Sequence, residues 1–272
     1  MRFTIELLGS FDARLDDISA VPSAAKQRQL LALLALNAGR AVSVSMIMAE
    51  LWGSDQSKSA GTTLHTYIGK LRREFELALR DHSGYDAKRL LVTEPIGYSL
   101  RVPANDIDAG RYEQLSHAGR LAADQSDHES ASRYLTAALA LWRGPALSGV
   151  VAGQHLAVEI VRLEENRLSD LDLRIEADLR LGKHRRLLGE LAGLCARFPM
   201  SENFSTKYML ALYRSGQMWR ALEVYQRLRS AMADELGVEP SGAIQRLHLA
   251  MLRGDPAMDA PHEAADSWMT AG

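Results

Sequence analysis

The sequence predicts an α+β winged helix-turn-helix domain over residues 1–104, followed by an all-α, tetratricopeptide-like helical repeat domain over residues 105–253. Three observations lead to this. A short helix, a long amphipathic helix and a strand–turn–strand pattern follow one another before Pro103, the order of a winged helix-turn-helix. In the second half a pattern recurs 34 residues on, the period of tetratricopeptide helix pairs. Between the halves, Pro103 and the Asn105-Asp106 pair supply turn chemistry where a linker belongs.

Taken in order, "RFTIELLG" is apolar-rich with partial alternation and "FDARLDD" alternates, so both read as short strands. "AAKQRQLLALLALNAG" is a helix, because Leu30, Leu33, Leu34 and Ala38 recur at three and four and Gly39 sits where a helix stops. "SVSMIMAELWG" is a shorter helix with Ser45 as its cap and Gly53 as its stop. "TTLHTYIGKLRREFE", Thr62 to Glu76, belongs to a helix running from near Ser59 or Ala60 toward Arg80. After a polar turn, "RLLVTEPIGYSLRV" reads as strand, Pro/Gly turn and strand. From Asp108 on, helices are expected over 108–123, 127–143, 155–181, 183–197, 202–215, 217–236 and 240–252. Ala177, Gly182, Leu187, Leu188 and Leu191 are answered 34 residues later by Ala211, Gly216, Ala221, Leu222 and Tyr225. The tail, residues 254–272, is small, polar and uncapped, and is expected to be disordered.

Composition narrows the classes. A formal net charge of −2 argues against a uniformly basic coat but leaves a local basic patch open. The N-terminus lacks a signal-peptide pattern, and no apolar run approaches the ~18 residues of a membrane span. Cys195 is the only cysteine, which excludes an intrachain disulfide and fits a reducing cytoplasm. The eight histidines include no His-x-x-x-His pair, and neither GxxxxGK[ST] nor GxSxG occurs. No metal, cofactor or catalytic role is expected. Cys195, in "LAGLCARFP", reads as a core thiol, and "KHRR" at 183–186 as the solvated face of a repeat helix. Trp142, Trp219, Tyr213 and Tyr225 are expected to pack between repeat helices.

On a helical wheel at ~100° per residue, Leu64, Ile68, Leu71, Phe75 and Leu79 share a narrow arc and face a core. Opposite lie Thr62, Thr66, Gly69 and Arg73, with Lys70 on the shoulder, His65 and Arg72 on one flank and Thr63 on the other. Hydroxyls lead and cations follow one turn later. This suits insertion into a DNA major groove, where Thr and His reach base edges and Lys and Arg take phosphates or guanine acceptors. Gly69 in mid-helix costs about 1 kcal/mol relative to alanine, and close approach of a phosphate backbone is one reason to accept it. The hairpin, with Thr93, Gly97 and Tyr98 in its strands and Arg89 and Arg101 near its base, is placed to enter the adjacent minor groove. Lys26 and Arg28 bring cations to the start of the first helix, where free backbone N–H groups also favour a phosphate. A pure interaction scaffold, or a repressor, is the alternative reading.

"AAKQRQLLALLALNAGRAVSVSMIMAELWG", "TTLHTYIGKLRREFE" and "TEPIGYSL", in this order, resemble the Streptomyces antibiotic regulatory protein family. "LALWRGPAL" and "ALEVYQRLRSAMADELGVEPS" are similar to that family's bacterial transcriptional activator domain. The resemblance covers about residues 1–253. It implies an OmpR-type winged helix and an activator of antibiotic and other secondary-metabolite gene clusters. It also implies binding to direct repeats near the promoter −35 region, with two protomers head-to-tail, and recruitment of RNA polymerase. In OmpR-type folds the loop between the second and third helices faces polymerase. Here that loop is "GSDQSKSAG", which makes Asp55, Gln56 and Lys58 candidates for sigma-factor contact. No receiver domain precedes the winged helix in this sequence, so aspartyl phosphorylation by that route is not expected. The expected location is the cytoplasm, at the nucleoid.

Overall fold

The computed structural model describes residues 3–16, 18–55, 59–79, 86–255 and 258. The chain divides into two compact units, one of residues 1–118 and 134–170, the other of residues 119–133 and 171–272.

The first unit opens with strands β1 (Phe3–Glu6), β2 (Asp12–Leu15) and β3 (Ile18–Ser19), antiparallel in that order, with Phe3 opposite Leu15 and Ile5 opposite Ala13. Those four side chains are buried and alternate along their strands, as a half-covered sheet requires. Helix α1 (Ala25–Leu36) buries every residue from Gln29 to Ala35, so it is wrapped on all sides rather than striped. Strand β4 (Val42–Ser43) leads into α2 (Val44–Trp52). The cap of α2 is Ser43, whose side chain accepts from the Met46 amide, and not Ser45, which lies inside the first turn and bonds Ser43 Oγ at 2.9 Å. Gly53 closes the helix at φ 58°, as expected of a stop.

Helix α3 (Ala60–Ala78) buries Leu64, Ile68, Leu71 and Phe75, the face the wheel assigned to the core. Trp52 stacks on Tyr67 with ring centroids 6.1 Å apart, fixing α3 against α2. Before the hairpin the chain forms a short helix, α4 (Ala87–Leu90), not foreseen from the sequence and capped by Asp86 accepting from the Lys88 amide. Strands β5 (Leu91–Glu94) and β6 (Gly97–Leu100) then make the wing, and β6 also pairs with β4, giving the order β4-β6-β5. A Cβ on Gly97 would lie 2.0 Å from the Val42 carbonyl oxygen, so only glycine allows β4 this close.

After a 3-10 turn (Ala104–Asp106), helices α5 (Asp108–Asp124), α6 (His128–Leu139) and α7 (Gln154–Arg180) follow. Helix α6 stops short of the expected residue 143. The Arg143 amide donates to the Leu8 carbonyl at 2.8 Å and the Leu147 amide to that of Leu7 at 2.7 Å, so the chain leaves the helix and turns against the segment that follows β1. The Asp108 carboxylate accepts from the amides of Leu7 and Leu8 and pairs with Arg143. From α2, Glu50 accepts from the amides of Gly153, His155 and Leu156 and so caps α7. Trp142 packs edge-on against Tyr112 at 5.4 Å, with the Arg167 guanidinium over its ring.

The second unit carries α8 (His184–Arg197), α9 (Glu202–Arg214), α10 (Met218–Leu236) and α11 (Gly242–Arg253). The repeat register is kept. Gly182 and Gly216 turn the chain at φ 72° and 77°. Leu187 and Ala221 are buried, Leu188 and Leu222 half-buried, and Leu191 and Tyr225 buried. Cys195 is half-buried, and burial pushes its thiol pKa up. Trp219 does not pack between helices as expected: its side chain is 70% exposed at the start of α10. Apart from residues 254, 255 and 258, the expected disordered tail lies outside the described residues. No helix among the described residues is long and apolar enough to cross a membrane.

Candidate nucleic-acid interface

Helix α3 presents Thr62, His65, Thr66, Gly69, Lys70 and Arg73 to solvent. The Thr66 hydroxyl donates to the Thr62 carbonyl at 3.1 Å, and that of the half-buried Thr63 to Ser59 at 3.0 Å. Both hydroxyl protons are therefore used inside the helix, and both oxygens keep lone pairs for an outside donor such as a base amino group. Among the described residues, Lys70 and Arg73 have no hydrogen-bond, ion-pair or ring partner, although Glu74 and Glu76 are close in sequence. Adjacent unneutralised cations on one exposed face are what a polyanion contacts.

His65 is held from the wing. Tyr98 Oη lies 2.9 Å from His65 Nδ1, and the rings meet edge-on at 6.4 Å. When the tyrosine hydroxyl donates, the outward-facing Nε2 carries the imidazole proton and can donate to guanine N7 or O6. Burial raises the Tyr98 pKa, which keeps the phenol protonated and able to donate.

Several residues expected at the interface are used by the fold instead. Tyr98 is only 3% exposed and Gly97 is buried under β4, so neither presents itself to a groove. The Arg72 guanidinium donates to the Leu91 carbonyl through Nε at 3.0 Å and Nη2 at 2.8 Å, and Nη2 also reaches Thr93 Oγ1 at 2.8 Å. Arg72 thus fastens α3 to the wing, and Thr93, though exposed, is its acceptor. Lys26 donates to the Leu51 carbonyl at the end of α2. Arg28 donates to the carbonyls of Pro22, Ser23 and Gly149, binding its loop together. Arg101 pairs with Glu94, whose pKa is lowered first by a hydrogen bond from Ser99 and then by Arg101.

Arg89 is exposed, and its guanidinium has no hydrogen-bond, ion-pair or ring partner among the described residues. Its neighbour Lys88, overlooked in the sequence, has the same standing, and both lie in the last turn of α4 beside the wing. The signal was the "AKR" run itself, in which Lys88 falls in the polar turn before the expected strand and Arg89 at its start. At the wing tip Ile96 is 62% exposed. In the loop after α2, Asp55 is exposed, and Gln56 and Lys58 lie outside the described residues. No group of His, Cys, Asp or Glu among the described residues could hold a metal ion.

Comparison with known proteins agrees with both halves. A model described as the bacterial transcriptional activator domain matches residues 107–252, and one described as the C-terminal domain of transcriptional regulatory proteins matches residues 19–100. The regulatory protein DnrI of Streptomyces peucetius is 45% identical over 255 residues, 94% of each chain. The regulatory protein AfsR of Streptomyces coelicolor is 35% identical over 259 residues, which are 95% of this chain and 25% of AfsR. A solved structure of Mycobacterium tuberculosis EmbR superposes with a TM-score of 0.84 at 31% identity, covering 99% of this chain and 68% of that one.

Proposed function

The chain belongs to the Streptomyces antibiotic regulatory protein family, a DNA-binding transcription activator by its two matched domains, and from that premise we propose that α3 enters the major groove of promoter DNA. Thr62, Thr63, His65 and Thr66 meet base edges there, and Lys70 and Arg73 meet phosphates or guanine. Lys88 and Arg89, with Thr93 in the wing, approach the neighbouring backbone. The observation that carries this reading is that Lys70 and Arg73 stand exposed and without a partner among the described residues, while Lys26, Arg28, Arg72 and Arg101 are each tied within the fold. Residues 1–104 serve as the DNA-binding domain and 105–253 as the activator domain.

Two protomers bind direct repeats head-to-tail next to the −35 region and recruit RNA polymerase. Asp55, Gln56 and Lys58 supply the sigma-factor contact. The target is a secondary-metabolite gene cluster, the setting is the cytoplasm at the nucleoid, and the protein has no catalytic role. Footprinting on promoters of its own gene neighbourhood, followed by transcription with purified polymerase, tests this. Two protected sites in the same orientation and a raised transcript yield are expected. Absence of protection, or protection with a lowered yield, contradicts the reading.

A further inference from the structure

The turn from α7 into α8 borders a cavity of about 260 Å³, lined by Gly182, Lys183, His184, Arg185, Arg186 and Arg214. Among the described residues no acidic side chain lines it. The volume falls just below the ~300 Å³ at which pockets for drug-sized ligands begin, which suits a small anion or the charged end of a larger molecule.

Three features set this cavity apart. The first is its charge. Among the described cations of this unit, all but Arg185, Arg186 and Arg253 have a hydrogen-bond, ion-pair or ring partner. Two of those three lie side by side on the cavity wall. Lys183 already pairs with Asp178 at 2.8 Å, and Arg214 keeps its charge while its Nε donates to the Met258 carbonyl, so Arg185 and Arg186 are the lining cations with no hydrogen-bond or ion-pair partner among the described residues. The second is a nitrogen, His184 Nδ1, buried and without a hydrogen-bond partner among the described residues, on a half-buried side chain of the cavity wall. Such an atom costs about 1–3 kcal/mol unless something outside the chain satisfies it. The third is that Lys183 caps α8 without a side-chain hydrogen bond; the Arg186 amide donates to the Lys183 carbonyl at 3.1 Å, which leaves the amides of His184 and Arg185 at the helix start beside the same cations.

We propose that this cavity binds a phosphate group, through the guanidinium groups of Arg185 and Arg186 and the imidazole of His184. Guanidinium matches a phosphate bidentately, and adjacent charge-assisted bonds of this kind are strong. The group can come from a small phosphoester or from the backbone of the DNA that the protein binds. Burial, aided by the Arg214 guanidinium, holds the His184 pKa below the usual histidine range in the empty site. A bound dianion moves it up, which gives a readout at the site itself.

The test uses the full chain and an Arg185→Ala/Arg186→Ala variant, in which both replaced side chains are exposed and circular dichroism confirms the fold. In one arm, inorganic phosphate and AMP are titrated while the His184 ring resonance is followed by NMR. Saturable binding with a rise in the His184 pKa, weakened about tenfold or more in the variant, supports the site and identifies a small phosphoester as ligand. In the other arm, promoter affinity is measured against salt. A log–log slope shallower by ~0.9 for each lost contact in the variant supports the site and identifies the DNA backbone. If the His184 resonance does not respond to either probe and the salt slope is the same in both proteins, the proposal is overturned. The first arm does not depend on DNA binding, so a failure of the promoter reading stays distinguishable.

Discussion

The Tyr98 hydroxyl lies 2.9 Å from His65 Nδ1, so a residue buried in the wing sets how an exposed imidazole on α3 faces outward. Tyr98→Phe keeps the ring and its packing and removes only this bond. The expected result is an unchanged melting temperature within a few degrees and a several-fold loss of affinity for the cognate promoter, about 1 kcal/mol. Nonspecific DNA affinity and the salt slope stay as they were, because no phosphate contact is lost. Fluorescence anisotropy with cognate and scrambled duplexes reads both quantities.

Gly69 separates the demands of the fold from those of the ligand. A Cβ at this exposed mid-helix position meets no atom of the chain within 4 Å. Gly69→Ala is therefore expected to stabilise the free protein by up to about 1 kcal/mol. If α3 lies close to the DNA backbone, the same methyl group weakens promoter binding. Thermal melts and gel shifts on one preparation give the two opposite signs.

Glu50 is buried and accepts from the Gln29 side chain and from the amides of Gly153, His155 and Leu156. Glu50→Ala strands these donors and opens space beneath the start of α7. A loss of about 3 kcal/mol or more is expected in urea unfolding, since several buried donors lose their acceptor together. Glu50→Gln, which restores one acceptor, recovers part of it.

Two histidines make the second unit sensitive to mild acid. Burial lowers the pKa of His184, with Arg214 adding to it, and burial lowers that of His248, whose ring stacks on Tyr225 at 3.9 Å. With a depressed folded pKa, the unfolded chain takes up its proton first. This stability is complete above about pH 6.5 and is lost as pH falls through the folded values. The melting temperature should fall as pH drops below ~6.5, and fall less in a His184→Gln/His248→Gln variant measured by calorimetry.

What the sequence disclosed and what it concealed follow a physical division. The inner and outer faces of α3 were legible because both are set by a local helical period that Leu64, Ile68, Leu71 and Phe75 keep. The 34-residue register was legible for the same reason, with Gly182 and Gly216 turning alike. The direction of individual cations was not. Lys26 is taken by a carbonyl 25 residues away and Arg28 by one 121 residues away, pairings that no local pattern encodes. The early end of α6 was hidden likewise, because it depends on Arg143 meeting the Leu8 carbonyl. Exposure of Trp219 ran against its composition, since large aromatics are ordinarily read as core.

The central claim is that the unpartnered cations of α3 face DNA phosphates or guanines, and the direct measurement is promoter affinity across a salt series for the wild type, Lys70→Ala and Arg73→Ala. Both side chains are exposed, so both variants should fold with unchanged melting temperatures. Each should bind the promoter at least about tenfold more weakly, and each contact to phosphate should remove ~0.9 from the log–log salt slope. Equal affinities and equal slopes in all three proteins would contradict the assignment of α3 as the recognition helix.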